Sequence, residues 1–174
     1  MMKSEPSSDL ARLTGDEFSR YFEHLAHRVD QFVHAVPAGS LWTKPFPFGN
    51  SIGHLVLHLT GNLNHYIGAM IAGSGYERQR EKEFTDPAHP PVEVLLSQFH
   101  QAVAMVKSTL HSLDDEGFKV AVEHNVPIQT RLGLFLVCLA HMNNHIGQMS
   151  YLAQALQPVS SGCWRFSAET KSVS

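Results

Sequence analysis

The stretch NSIGHLVLHLTGNLNHYIGAMIAG, residues 50–73, decides the fold class. Its apolar residues recur at steps of three and four, the spacing that places side chains on one face of an α-helix. Asn50 is a typical N-cap residue, and Gly73 is typical of a position just beyond a helix end. The stretch therefore predicts one long helix from Asn50 to Ala72. Its apolar face comprises Ile52, Leu55, Val56, Leu59, Leu63, Tyr66, Ile67 and Met70.

Three further segments, residues 14–36, 90–113 and 130–156, carry the same period. The first opens on Thr14 and Glu17, whose spacing matches a capping box at a helix N-terminus. All four segments are much longer than a mean helix, and no sustained strand pattern competes with them. We therefore predict an all-α four-helix bundle over about residues 14–157.

The connections between these segments predict its topology. Residues 73–89 and 114–129 are long links for a bundle, whose connections usually have about 2–8 residues. Such crossover connections allow consecutive helices to run parallel, so a simple up-down topology is not expected. Residues 119–122 alternate weakly and predict at most a short strand. The length predicts a single domain over residues 1–174, with a polar tail at 158–174 that contains Trp164 and Phe166.

Composition excludes several functional classes. Of 174 residues, 43% are hydrophobic and 17% charged, which excludes a disordered chain. The net charge is −3 and the basic residues are scattered, so no nucleic-acid partner is expected. No apolar run approaches the roughly 20 residues that span a bilayer, so no membrane association is expected. Two cysteines form no disulfide framework, and we expect a cytoplasmic protein.

Histidine is the unusual residue, with twelve copies, and His141 and His145 form its most informative pair. Residues four apart on a helix lie one turn above each other, so the two imidazoles can converge on one metal ion. Projection places both on or beside the inward face of the fourth helix. Buried imidazoles need partners, and these two could instead satisfy that need with two separate hydrogen bonds.

A metal site of this kind needs a third protein ligand. The second helix offers His54, His58 and His65, and projection places His58 nearest the apolar face. We therefore predict His58 as the third ligand, with His54 as its main competitor. His54 and His65 project further from that face and are expected either to face solvent or to border the site.

Other side chains near these histidines are weaker candidates. Asn62 lies one turn beyond His58 and could orient a ligand, or simply pack against Gly61. Gln148 lies three residues after His145 and could form a hydrogen bond at the site. Cys138 shares the stripe of His141 but is better interpreted as a small buried hydrophobe. The histidines at 24, 27 and 34 are expected to face solvent.

Missing motifs narrow the chemistry. No glutamate lies between His141 and His145, so the general base of a zincin is absent. No Glu-x-x-His occurs, which argues against a di-iron bundle, and a single mononuclear site remains. No carboxylate is evident near the histidines either. That absence favours the alternative of a non-catalytic, metal-binding stress or structural protein. A third possibility is a bundle whose histidines bind no metal and whose exposed helix faces assemble with partners.

Two motifs resemble the DinB/YfiT-like superfamily. One is Trp42-Thr-Lys-Pro45 followed by Asn50-Ser-Ile-Gly-His-Leu-Val-Leu-His58-Leu-Thr-Gly-Asn62. The other is His141-x-x-x-His145-Ile-Gly-Gln148, near the end of the last helix. The similarity extends over roughly residues 18–156.

This resemblance implies a four-helix bundle, often a homodimer, in which three histidines hold one divalent metal ion. Carried over to this chain, the ligands are His58, His141 and His145. Relatives include metal-dependent hydrolases and thiol-dependent S-transferases, so a small-molecule substrate and a low-molecular-weight thiol are the implied partners. The resemblance therefore implies a metal-activated thiolate or water as the nucleophile. Zn²⁺ and Ni²⁺ both suit imidazole ligands, and the sequence does not choose between them.

Overall fold

The computed structural model describes residues 9–85, 87–123 and 127–156, and these residues form an all-α fold as predicted. The only pairing of β type among them is an isolated bridge between Ala121 and Thr130, at the position of the weak strand pattern. The α-helices are α1 (Asp9–Ala35), α2 (Ile52–Leu63), α3 (Lys82–Thr85), α4 (Val92–Ser112), α5 (Asp115–Lys119) and α6 (Arg131–Leu156). A 3₁₀ turn covers Ala38–Ser40, and α2 continues as a π-helix over Asn64–Ala69.

The four long helices form the predicted bundle with a crossover. Helices α1 and α4 are antiparallel, because Asp16 contacts His111 at 3.2 Å near one end and Asp30 contacts His100 at 2.9 Å near the other. Helices α2 and α4 pack against each other in the same direction, since Gly68 lies against Met105 while Leu57 and Gln98 line the same cavity. A parallel pair needs a connection that returns along the bundle, and residues 70–91, here called the crossover, provide it.

The apolar faces of all four helices meet in one core. Its largest fully buried side chains include Phe22 on α1, Leu59 on α2, Phe99 on α4 and Phe135 on α6. Each lies on the periodic apolar stripe of its own helix, so the helical period and the burial agree. This packing fixes the rotation of α2 and α6 and thereby the direction in which their polar residues point.

Two predicted helix starts are wrong. Helix α1 is already helical at Asp9, so Thr14 lies inside it and does not form the predicted cap. Helix α2 is capped by Ser51 and not by Asn50, because the Ser51 Oγ accepts the backbone N–H of His54 at 3.2 Å. Both serine and asparagine favour this position, and here the serine oxygen is the one that meets a free amide.

Some predictions fall outside the described residues. The polar tail at 158–174, with Trp164 and Phe166, is among them, and the single-domain assignment over 1–174 stays a prediction. In the described part of the chain, no helix has the length and hydropathy needed to cross a membrane.

Candidate metal centre

Three histidines from two helices converge at the contact between α2 and α6. His58 lies near the middle of α2, and His141 and His145 lie one turn apart on α6. The Nε2 atoms of His58 and His141 are 2.9 Å apart, and one ring nitrogen from each of the three residues lies within 4.8 Å of the others. The structure thus brings the three predicted ligands into one cluster that could hold a metal ion.

Hydrogen bonds orient two of the three rings. The Nδ1–H of His58 donates to Glu83 Oε2 at 2.8 Å, and the Nδ1–H of His145 donates to Gln148 Oε1 at 2.9 Å. A proton held on Nδ1 leaves the lone pair on Nε2, which is the form that binds a metal. In both rings Nε2 is therefore the atom that can coordinate a metal ion.

Glu83 is anchored by Arg78 in a two-point ion pair. Arg78 Nε donates to Glu83 Oε1 at 2.7 Å, and its Nη2 donates to Oε2 at 2.9 Å. Burial alone would raise the pKa of the Glu83 carboxyl, but the hydrogen bonds from His58 and Arg78 and the Arg78 charge lower it below its ordinary value. Glu83 is therefore ionised at neutral pH and accepts the His58 proton as a carboxylate.

The α6 histidines are neutral at physiological pH. Burial, followed by the charges of His145 and His58, lowers the pKa of His141 to about 4. Burial also lowers the pKa of His145, against the opposing hydrogen bond from Gln148. A neutral imidazole keeps the lone pair that a metal requires, so both rings are competent donors at pH 7.

The donor set fits a divalent metal ion of the borderline class. Two nitrogens bound to one zinc ion at 2.0–2.1 Å and at a tetrahedral angle are about 3.3–3.4 Å apart. The separations within the cluster, 2.9 Å for one pair and at most 4.8 Å for any pair, bracket that value. Among the described residues the cluster contains three ligands, a number typical of catalytic sites with an open coordination position.

The side chains expected to border the site have different surroundings. Gln148 holds His145, as described above, and Asn62 is buried on α2. His54 is buried, but its Nδ1 accepts the Ser51 hydroxyl at 2.6 Å and its ring meets Trp42 edge-on, so it belongs to a separate cluster. His65 lies in the π-helix against the Tyr66 ring, outside the three-histidine group.

Cys138 is a core residue, in agreement with its interpretation as a small buried hydrophobe. It is 1% exposed, and burial raises its pKa to about 12. Its thiol is therefore protonated at neutral pH, a form that binds metals poorly.

The expectation that no carboxylate lies near the histidines is wrong. Glu83 and its partner Arg78 come from the crossover, 25 and 20 residues from His58 in sequence, within the charged stretch Glu77-Arg-Gln-Arg-Glu-Lys-Glu83. Such a stretch is usually a solvated loop, and no periodicity distinguishes Glu83 from Glu77 or Glu81. The one sequence signal that could have pointed to this contact is Gly61, because a glycine inside a helix often marks a close approach by another group.

A cavity of about 570 Å³ is lined in part by Gln148, the hydrogen-bond partner of His145. Its wall is mainly aromatic and aliphatic, with side-chain amides among the apolar groups. The residues that line it include Phe46, Phe48, Asn50, Asn144, Gln148 and Tyr151. A small molecule with an apolar body could occupy this space, which Gln148 separates from His145.

Comparison with known proteins identifies relatives of the fold. The family model of the DinB superfamily matches residues 9–149. A crystal structure described as the conserved protein of a locus from Enterococcus faecalis superimposes with a TM-score of 0.68 at 17% sequence identity. The superposition covers 81% of this chain and 95% of that one, and it shows a shared fold. No curated protein matches this sequence.

Proposed function

The chain belongs to the DinB superfamily, and from this membership and the three-histidine cluster we propose that it is a mononuclear, divalent-metal-dependent enzyme of the thiol S-transferase or hydrolase type. The ligands we propose are His58, His141 and His145. Zn²⁺ and Ni²⁺ are the ions best suited to three imidazoles.

One observation carries the proposal: three imidazole nitrogens from two helices lie within 4.8 Å of one another, with two of the rings held in the metal-binding tautomer. In ordinary core histidines, each ring nitrogen would form a hydrogen bond with a separate partner. In this cluster the Nδ1 atoms of His58 and His145 have such partners, but the Nε2 atom of His58 faces the imidazole of His141 instead.

The chain's own residues divide the work in this proposal. Glu83 and Gln148 orient His58 and His145, and the aromatic cavity beside Gln148 binds the apolar part of a small-molecule substrate. A divalent ion held by His58, His141 and His145 would supply Lewis-acid activation, which makes water or a thiol nucleophilic at neutral pH. That activation explains how the site can work without a side-chain nucleophile.

A second candidate is a non-catalytic, metal-binding stress or structural protein. The observation that favours it is the state of Glu83, the carboxylate that touches the cluster. Glu83 is 7% exposed and engaged by both His58 and Arg78, so it is not free to act as a general base. In that case the metal serves stability alone.

Metal analysis of protein purified without a nickel column tests the proposal. We expect about one equivalent of zinc or nickel in the wild type and only background metal in the triple variant His58→Ala, His141→Ala, His145→Ala. Equal metal contents in the two proteins would refute it. A subsequent screen with low-molecular-weight thiols and electrophilic or ester substrates separates the enzyme from the second candidate, which shows no metal-dependent turnover.

The remaining partners follow from the same proposal. We propose a cytoplasmic homodimer that takes a small-molecule substrate, with a low-molecular-weight thiol as cosubstrate, and that has no nucleic-acid partner, in keeping with the net charge of −3. Light scattering after size exclusion measures the oligomeric state, and a mass near 19.4 kDa would contradict the dimer.

A further inference from the structure

The crossover contributes a buried ionic group to a site whose candidate ligands all lie on α2 and α6. Glu83 and Arg78 are largely buried, with side-chain exposures of 7% and 10%. Burying an ion pair costs desolvation free energy and is weak support for stability in itself. The pair is joined by a third member, the Nδ1–H of His58 at 2.8 Å, which points to a purpose at His58.

Helix α2 has a gap that fits the carboxylate. A Cβ atom at Gly61 would lie 2.2 Å from Glu83 Oε1 and 2.9 Å from its carboxyl carbon, both far inside contact distance. Any larger residue at position 61 would therefore displace the Glu83 side chain from His58. Glycine costs up to about 1 kcal/mol relative to alanine in a helix interior, and here it admits the carboxylate.

We propose that Glu83, held by Arg78, is a positioning residue that fixes His58 as a metal ligand, so that metal binding and docking of the crossover onto α2 stabilise each other. This inference rests on the proposed function only in taking His58 as a ligand. It gives residues 78–83 of the crossover a role in metal affinity in addition to that of the three histidine ligands.

The physical basis is the hydrogen bond on the far side of the ring. A carboxylate that accepts Nδ1–H keeps the proton off Nε2, fixes the ring plane and makes Nε2 a better donor. Loss of such a partner typically lowers metal affinity about 10- to 100-fold. Because coupling is reciprocal, a bound ion also strengthens the contact between Glu83 and His58 and holds the crossover more firmly.

Gly61→Ala tests the positioning role without removing a charged group. We expect its affinity for Zn²⁺, measured by competition with a chromophoric chelator, to fall about 10- to 100-fold. Gly15→Ala is the matched control, since a Cβ at this interior glycine of α1 meets ordinary contacts of 3.4 Å or more. Its Zn²⁺ affinity should equal that of the wild type, and equal affinity in Gly61→Ala would overturn the proposal.

A spectroscopic readout separates positioning from a merely structural role. In the metal-free protein, ¹H–¹⁵N correlations should show His58 as the Nδ1–H tautomer in the wild type and a mixture of tautomers in Gly61→Ala. Glu83→Met, which removes the acceptor, should give the same change, while Glu77→Gln, at an exposed glutamate of the same stretch, should leave the spectrum as it is. An unchanged His58 spectrum in both Gly61→Ala and Glu83→Met would refute the assigned role.

Trypsin cleavage tests the coupling. Arg80 and Lys82 are exposed within the charged stretch, and cleavage after them reports how firmly the crossover is docked. Saturating Zn²⁺ should slow this cleavage in the wild type and in Glu77→Gln but not in Gly61→Ala. Equal protection in all three proteins would show that metal binding and docking are independent.

The two proposals fail in different ways. If the wild type binds no Zn²⁺ beyond the triple histidine variant, the proposed function fails. If the wild type binds Zn²⁺ and Gly61→Ala binds it equally well, only the role of Glu83 fails. Should Glu83→Met not fold, Gly61→Ala decides the question by itself, because it retains every ionic group.

Discussion

At the scale of single residues, the hydrogen bond from His145 to Gln148 gives the second oriented ligand of the cluster. The amide oxygen accepts Nδ1–H at 2.9 Å, and both residues lie on α6 three positions apart. An amide is a weaker acceptor than a carboxylate, so Gln148 should hold its ring less firmly than Glu83 holds His58. His145 is therefore supported from within its own helix, while His58 depends on a distant segment.

Gln148→Met keeps the length of the side chain and removes the acceptor. We expect about a tenfold loss of Zn²⁺ affinity, the lower end of the range for partners of metal ligands. Isothermal titration with Zn²⁺ measures it. Gln154→Met, at an exposed position of the same helix, is the control. Equal affinities for the two variants would mean that Gln148 has no influence on His145.

Cys138 gives a second prediction at this scale. Because its pKa is raised to about 12 by burial, roughly three units above the ordinary value, its thiolate fraction at pH 8 is about 1,000-fold lower than that of a free thiol. The Cys163→Ser substitution removes the other cysteine of the chain. In that background, iodoacetamide should not label the native protein within the time that it needs to label the urea-unfolded protein. Mass spectrometry follows the reaction, and rapid native labelling would place the thiol in contact with solvent.

At the scale of elements, Trp42 joins three segments of the chain around the start of α2. Its ring stacks on His89 at 4.5 Å, meets His54 edge-on at 5.3 Å and lies against Gly53, where a Cβ would come within 2.6 Å of the indole. The indole thus ties the loop before α2 to the end of the crossover. Gly53 plays the same role beside Trp42 that Gly61 plays beside Glu83, because each lets a side chain lie close to the helix backbone.

Gly53→Ala should therefore destabilise the protein, although alanine is the better helix former. The expected loss in the free energy of unfolding is about 1–3 kcal/mol, typical of overpacking against a rigid ring. Urea denaturation monitored by circular dichroism measures it. Gly15→Ala, which meets only ordinary contacts, should instead be neutral or stabilising. A stabilised Gly53→Ala would show that the indole can move aside.

The elements also show which parts of the structure can be predicted from sequence. The bundle and its crossover follow from helical period and link length, because burying an apolar stripe leaves few alternatives. The convergence of His141 with His145 follows from a spacing of four residues on one helix. Glu83 could not be predicted, because its contact with His58 depends on the path of a charged, aperiodic crossover. The cap at Ser51 was missed because Asn50 and Ser51 both suit that position.

At the scale of the whole molecule, a bound ion would join α2 to α6 through three ligands, and it should therefore stabilise the fold. Ligand binding to the folded state raises the free energy of unfolding by about 2.7 kcal/mol at a concentration 100 times the Kd. We expect Zn²⁺ to raise the Tm of the wild type and EDTA to reverse the rise. In His58→Ala the Tm should not respond to either, and a response of wild-type size there would place the ion elsewhere.

The metal-free molecule should lose stability as the pH falls from about 6.5 toward 4. Burial, as the largest cause, lowers the pKa of His54, His141 and His145 in the folded protein, so the unfolded chain takes up protons first. The stability that depends on these neutral rings is complete above their ordinary pKa of 6.5 and is lost as the pH falls through the folded values, about 4 for His141. Each proton of difference changes the free energy of unfolding by at most about 1.4 kcal/mol per pH unit.

Urea titrations of EDTA-treated protein between pH 7.5 and 4.5 measure this dependence. His141→Gln removes one of the titrating rings, so its free energy of unfolding should change less steeply with pH than that of the wild type. His27→Gln, at an exposed position of α1, should keep the wild-type slope. Glu83 acts in the same direction at lower pH, since its carboxyl pKa is lowered in the folded state and protonation weakens the contacts with Arg78 and His58. A wild-type slope in His141→Gln would mean that this ring is as accessible to protons in the folded protein as in the unfolded chain, which would contradict its partial burial between α2 and α6.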